Sequence, residues 1–210
     1  SDGFEFDISH ISGNVYAVAY RGTGNIGNLS TFSIYPNGTI SSVIDTLNFE
    51  GSSTRADNPK MIQVNGEIYA LVFNGAGTDG YISTVNITSA GQISNSVLHN
   101  VEYNTADGEA PSIVKVSNEI FAIAHETANN GAGLLETINI SSNGTISSVI
   151  SSLNFDSTGT TLNPKIININ SSIYGIVYRG PNADGFISTI NISSNGTITS
   201  SIIDNFEYDS

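Results

Sequence analysis

Val15-Tyr16-Ala17-Val18, Ile68-Tyr69-Ala70-Leu71, Ile120-Phe121-Ala122-Ile123 and Ile173-Tyr174-Gly175-Ile176 are four versions of one strand core. The aromatic residues stand at 16, 69, 121 and 174, so the steps between them are 53, 52 and 53. In the last copy Tyr174, Ile176 and Tyr178 share one face of the strand, and Ile173, Gly175 and Val177 share the other. A sheet with one wet face alternates apolar and polar residues. Both faces are apolar here, so both must be covered. The residue after the aromatic is always small (Ala17, Ala70, Ala122, Gly175), as expected where a neighbouring sheet approaches closely.

Each copy reads as four strands. In the fourth, strand A spans 165–169, strand B 173–178 and strand C 186–192, and strand D runs from about 197 to 208. Asn195-Gly196 separates C from D, a strong hairpin signal because both residues tolerate positive φ. A period near 50 built only of strands points to propeller blades. The expected fold is all-β: a four-bladed β-propeller of four-stranded antiparallel blades in one domain, 1–210. Its repeats cover approximately 1–54, 55–106, 107–159 and 160–210. The ring is expected to close by face-to-face packing alone. The alternatives are four blades of a larger ring, or two chains making a dimeric eight-bladed ring.

A longer period lies above the short one. Copies one and three share Gly-Thr-Ile-Ser-Ser-Val-Ile at 38–44 and 144–150, and Tyr16 to Phe121 and Tyr69 to Tyr174 are both 105 residues apart. A duplicated two-blade unit explains this. Thr31, Thr84, Thr137 and Thr189 recur in strand C, and the expectation is a hydrogen bond within the blade or a β-propensity choice.

Composition excludes several functions. The chain has no Cys, so no disulfide contributes, and its net charge is −13 with only six Lys and Arg. Nucleic acid and anionic membrane surfaces need a basic face, so neither is an expected partner. No run approaches the roughly 18 apolar residues of a spanning helix. No phosphate-binding glycine loop, zinc spacing or nucleophile elbow occurs. Eight Asn-x-Ser/Thr sequons stand at Asn28, Asn37, Asn86, Asn139, Asn143, Asn170, Asn191 and Asn195, about what this Asn/Ser/Thr-rich composition gives by chance.

Charged residues gather at the D–A and B–C loops, on one face of the expected ring: Asp2, Glu5, Arg21, Arg55, Asp57, Lys60, Asp107, Glu109, Glu126, Lys165 and Arg179. The opposite face is mostly Asn, Ser and Gly. The charged face is therefore the expected ligand side. Blade three departs from the others there, with His125-Glu126 and Glu136 where they have Tyr20-Arg21 and Ser30, or Tyr178-Arg179 and Ser188. A His with two carboxylates suits metal or acid–base chemistry, against a plainer reading as drift within a repeat. Arg21 and Arg179 become neighbours only if the ring closes, where two guanidiniums would hold a carboxylate or sulfate. Tyr20 and Tyr178 offer stacking faces for a sugar, or core packing. The speculative ligand-binding residues are thus Arg21, Arg179, His125, Glu126, Glu136, Tyr20 and Tyr178. No catalytic residue and no cofactor is assigned. The Asp-Gly pairs read as turns rather than calcium loops, and a cation held by strand A carbonyls in the central channel is the one structural ion considered.

Val-Tyr-Ala-Val-Ala-Tyr-Arg-Gly at 15–22 and Phe-Ile-Ser-Thr-Ile-Asn-Ile-Ser-Ser-Asn-Gly-Thr-Ile at 186–198 resemble the β-propeller repeats of large prokaryotic, especially archaeal, cell-surface proteins. The likeness covers the whole chain as repeat style and carries no site residue. Hemopexin-like domains share the four-blade count, but their signatures and terminal disulfide are absent. The resemblance implies an extracellular or cell-surface module for adhesion or assembly, with a glycan or surface protein as partner and a monomer or dimer in solution. A polysaccharide-acting hydrolase or lyase, with Glu126, Glu136 and His125 as its candidates, and a passive scaffold are the alternatives.

Overall fold

A computed structural model describes residues 5–51, 53–127 and 131–209. Asp2 and Gly3, which the sequence places at the first D–A loop, lie outside them. The first blade comprises β1 (Phe6–Ser12), β2 (Val15–Arg21), β3 (Gly27–Ser33) and β4 (Asp45–Asn48). The second comprises β5 (Asp57–Asn65), β6 (Ile68–Asn74), β7 (Gly80–Asn86) and β8 (His99–Asn104). The third holds β9 (Glu109–Lys115), β10 (Ile120–Glu126), β11 (Gly133–Ile140) and β12 (Ile146–Asp156). The fourth holds β13 (Leu162–Asn170), β14 (Ile173–Arg179), β15 (Gly185–Asn191) and β16 (Asp204–Asp209). Each blade is one antiparallel sheet in sequential strand order, as the repeat predicts.

Strand D differs from its expected form. In blades one, two and four it is broken into an isolated bridge (Ile34 to Ile40, Ile87 to Ile93, Ile192 to Ile198) followed by a short strand. Only β12 runs unbroken, for 11 residues. The turn before it is tight in every copy. Gly38, Gly91, Gly144 and Gly196 all have φ between 83° and 91°, a left-handed region that costs glycine least.

Blades stack face to face through three apolar clusters. Ala17, Ala19, Leu29 and Phe49 of the first blade meet Tyr69, Leu71 and Phe73 of the second. Ala70, Val72, Ile82 and Tyr103 meet Phe121, Ile123 and Ile138. Ala122, Ala124, Leu135 and Phe155 meet Tyr174, Ile176 and Tyr178. Strand B is thus buried on both sides in the middle blades, which explains its lack of alternation. The innermost strands β1, β5, β9 and β13 contact one another in succession.

The recurrent strand C threonine bonds chiefly across the seam and only weakly within its own blade. Thr31 Oγ1 donates to the Gly91 carbonyl at 2.6 Å, Thr84 to Gly144 at 2.7 Å and Thr137 to Gly196 at 2.6 Å. Each bond crosses to the hairpin turn of the next blade. The oxygens available within the blade are farther, 3.5 Å from Thr31 and 3.4 Å from Thr137.

The expected face-to-face closure of the ring is not completed. Among the described residues no apolar cluster joins the fourth blade to the first. Phe6 and Ile8 on one end face, and Ile167, Ile169, Val177, Phe206 and Tyr208 on the fourth blade, stay exposed. The four blades form an open arc.

Candidate functional site

Three B–C loops rise from the charged face as single 3-10 turns, Thr23–Asn25, Ala76–Thr78 and Pro181–Ala183. Each is closed by one backbone bond, Gly22 to Ile26, Gly75 to Asp79 and Gly180 to Asp184, at 2.7–2.9 Å. Strand A begins beside them with a left-handed residue, Asn58, Ala110 or Asn163, followed by Pro59, Pro111 or Pro164. These kinks turn the backbone N–H of Asn58 onto the Glu5 carboxylate, at 2.7 Å.

The charges on this face are largely committed to one another. Arg21 donates to Asp57 at 2.7 Å and lies 4.0 Å from Glu5, and Arg55 also pairs with Asp57. Arg21 therefore reaches across the seam into the second blade, and the expected pairing of Arg21 with Arg179 is not made. Glu126 stands opposite Glu109 in the β9–β10 register. Burial pushes its carboxyl up to about 7, with the Glu109 charge adding to the effect and an N–H bond from Asn163 opposing it.

His125 and Glu136 are brought together but face the core. His125 is buried, with Nε2 3.0 Å from Glu136 Oε2 and Nδ1 3.2 Å from the Glu126 carbonyl. Asn104 donates to the same Glu136 oxygen at 3.2 Å, and the Tyr103 ring meets the imidazole edge-on at 5.7 Å. The pair occupies the positions of Tyr20 with Ser30 and Tyr178 with Ser188, whose oxygens are 3.4 Å apart in both blades. It is the third blade's way of filling the seam with the second. Tyr178 is likewise core, buried, bonded to Asn205 at 2.9 Å and stacked on Phe186. Tyr20 is half-buried on the end face of the first blade.

Arg179 is placed differently. It lines a cavity of about 490 Å³ with Thr160, Thr161, Leu162, Asn182 and the backbone of Gly131, Gly159 and Gly180. A smaller cavity of about 240 Å³, beside Asp156, Thr158, Tyr178 and Asn205, flanks the same B–C loop at Pro181. Two of the seven candidates thus border adjoining hollows at the seam between blades three and four.

A cavity of about 730 Å³ lies on the opposite face and was not expected from the sequence. Asn65, Asn118, Glu119, Asn139 and Asn195 line it, with Lys115, whose amine donates to the Val64 carbonyl at 2.5 Å. Lys115, the one basic residue placed away from the charged face, was the available signal.

Among the described residues no group of three His, Asp or Glu side chains is arranged to hold a metal, and no helix is long and apolar enough to cross a membrane. Lys165 is held below the usual lysine range by burial and by Lys60 nearby, with Asp7 opposing.

No family model and no curated protein matches the sequence. Solved structures do. A putative exo-β-1,3-galactanase from Bifidobacterium bifidum is 10% identical, with a TM-score of 0.59 over 95% of this chain and 70% of that one. AofleA from Arthrobotrys oligospora, solved as a mutant with arginines replaced by alanine, is 11% identical, with a TM-score of 0.56 over 95% of this chain and 60% of that one. The NanB sialidase from Streptococcus pneumoniae is 13% identical, with a TM-score of 0.54 over 80% of this chain. The fold is a β-propeller. The chain spans 26% of the sialidase, so the likeness concerns architecture and not the whole of that protein.

Proposed function

We propose that this propeller is an extracellular or cell-surface binding module that takes an acidic glycan on its D–A/B–C face, at the cavity beside Arg179. The observation that carries the reading is the lining of that cavity. A guanidinium stands beside two threonines, an asparagine and glycine backbone, in about 490 Å³. Arginine binds carboxylate in a fork of two hydrogen bonds, and the Thr160 hydroxyl and Asn182 amide suit sugar hydroxyls, while the buried Thr161 hydroxyl is held by Asp156. The fold is shared with proteins named as a sialidase and a galactanase, which makes a sugar ligand reasonable without specifying one. Titration calorimetry with uronic-acid and sialylated oligosaccharides against their neutral counterparts tests the reading. Acidic sugars bind, and Arg179→Ala abolishes the heat while Arg21→Ala, whose side chain is held by Asp57, retains it. No preference for acidic over neutral sugars, or full binding by Arg179→Ala, overturns it.

One observation favours a second, enzymatic reading. Glu126 has a carboxyl raised to about 7 and faces a second carboxylate, Glu109, across two strands. A pair of carboxyl groups, one of them bearing a proton, is what glycoside cleavage uses, and burial with the Asp107 charge raises Glu109 as well. Release of reducing sugar from polysaccharide, lost in Glu126→Gln, supports that reading; binding without turnover supports the module.

A further inference from the structure

The three seams inside the arc share one construction, and each end of the arc carries half of it. At every seam the leading blade contributes a strand C threonine, an aromatic side chain from strand D and a small or β-branched residue of strand B. Phe49, Tyr103 and Phe155 are the strand D aromatics, 0%, 8% and 4% exposed. Each packs over the first glycine of its own strand C, Gly27, Gly80 or Gly133. In the fourth blade Tyr208 packs over Gly185 in the same way, yet it is 58% exposed. Val177 holds the position of the fully buried Ala19, Val72 and Ala124, and it is 37% exposed. Thr189 holds the position of Thr31, Thr84 and Thr137, which each reach the hairpin of a following blade.

The first blade carries the other half. Gly91, Gly144 and Gly196 each have side chains of the preceding blade 3.0–3.1 Å from where a Cβ would stand, while Gly38 has nothing within 4 Å. Tyr16, Val18 and Tyr20 are partly exposed where their counterparts Tyr69, Leu71 and Phe73 are buried. Phe6 and Ile8 beside them are 65% and 54% exposed.

We infer that the free face of the fourth blade docks on the free face of the first blade of a second copy of this chain, with Thr189 donating to the Gly38 carbonyl of that copy. The occupant follows from the internal seams. Among the described residues, what covers a trailing face is always a leading face of the same repeat, and the leading face of the first blade is uncovered. Such a contact is heterologous, so it joins unlike ends. Two copies using both ends make one ring of eight blades. Arg179 shares the strand face of Val177, so the contact borders one wall of the cavity beside Arg179, whose other lining comes from the loops of blades three and four.

Sedimentation velocity and light scattering on the 210-residue chain, with Val177→Glu and Ile8→Glu variants, decide the matter. Both substitutions fall on exposed strand positions, and far-UV circular dichroism with a melting curve verifies folding of each. The wild type is expected at about twice its 22.0 kDa chain mass at about 100 µM. Each variant alone is expected as a monomer. An equimolar mixture is expected to recover dimer, because the intact fourth blade of Ile8→Glu meets the intact first blade of Val177→Glu. A wild type that stays monomeric at that concentration overturns the inference. So does a folded single variant that still dimerises alone, since like ends would then be joining. A monomer that keeps the acidic-sugar binding of the proposed function would sink this contact and leave that reading standing.

Discussion

Thr84 Oγ1 of the second blade lies 2.7 Å from the Gly144 carbonyl of the third, 60 residues away and buried. The same bond recurs at the other two seams, so the repeat has a polar latch at each apolar interface. A buried carbonyl left without its donor costs about 1–3 kcal/mol. Thr84→Val keeps the shape and β-propensity while removing the donor, and it should lose roughly that much stability in urea unfolding. Thr189→Val, measured at low protein concentration, should fall within about 0.5 kcal/mol of wild type. Equal losses at the two positions would show that the latch contributes nothing beyond the methyl contacts.

Gly91 and Gly38 offer a matched pair for measuring how closely the blades approach. Their φ angles are 87° and 83°, so an added Cβ meets similar backbone strain, about 1–2 kcal/mol, at both. At Gly91 it would also stand 3.1 Å from Ile44 and Val15, while at Gly38 it meets nothing within 4 Å. Gly91→Ala should therefore cost more than Gly38→Ala in thermal unfolding. The difference between them reads the contact alone.

The His125–Glu136 pair should behave as core. Removing only its acidic half, in Glu136→Ala, leaves the imidazole and Asn104 without their acceptor and should cost about 1–3 kcal/mol. The double variant His125→Phe with Glu136→Ser installs the combination that the second blade already carries as Phe73 and Ser83. It should lose clearly less than the sum of the losses of His125→Phe and Glu136→Ser measured singly, with a coupling of about 0.5–3 kcal/mol in a double-mutant cycle. Additive losses would argue against a shared role in the seam.

Glu126 gives the protein a pH-dependent stability whose sign is fixed by its raised carboxyl. A group at about 7 in the fold and near 4.5 in the open chain binds more protons when folded. Its contribution is therefore favourable at low pH and lost as pH rises from about 4.5 through about 7. The effect is on the order of 1–3 kcal/mol. Glu126→Gln keeps an oxygen for the Asn163 N–H and removes the titration. The variant should gain stability over wild type as pH rises, with the difference smallest at about pH 4 and largest at about pH 8, as melting curves would show. The same gain at both pH values would mean that packing, and not charge, limits the wild type.

Much of the architecture is legible in the chain because it is written four times. Tyr16, Tyr69, Phe121 and Tyr174 recur at nearly constant spacing, and the apolar residues on both sides of strand B demand a sheet on each face. That local chemistry dictates strands, hairpin turns and face-to-face stacking. It left the role of Thr31 and its counterparts unsettled, because a bond spanning 60 residues has no signature in a one-dimensional pattern.

The candidate site was less legible for the same reason. His125 and Glu136 read as chemistry because they interrupt a repeat, and the structure turns them inward against Tyr103. Arg21 and Arg179 hold the same position in their blades, but one has Asp57 of the next blade to bind and the other lines a cavity. Residue type and spacing determined the blade by themselves, since hairpins and alternating faces are short-range properties of a strand. Whether a given face is covered, and whether a charge meets a partner or an open hollow, was decided only by the tertiary arrangement. Tyr208 and Phe49 show the physical cause: equivalent aromatic positions in equivalent strands, one exposed and one buried, according to whether a described blade packs on that face.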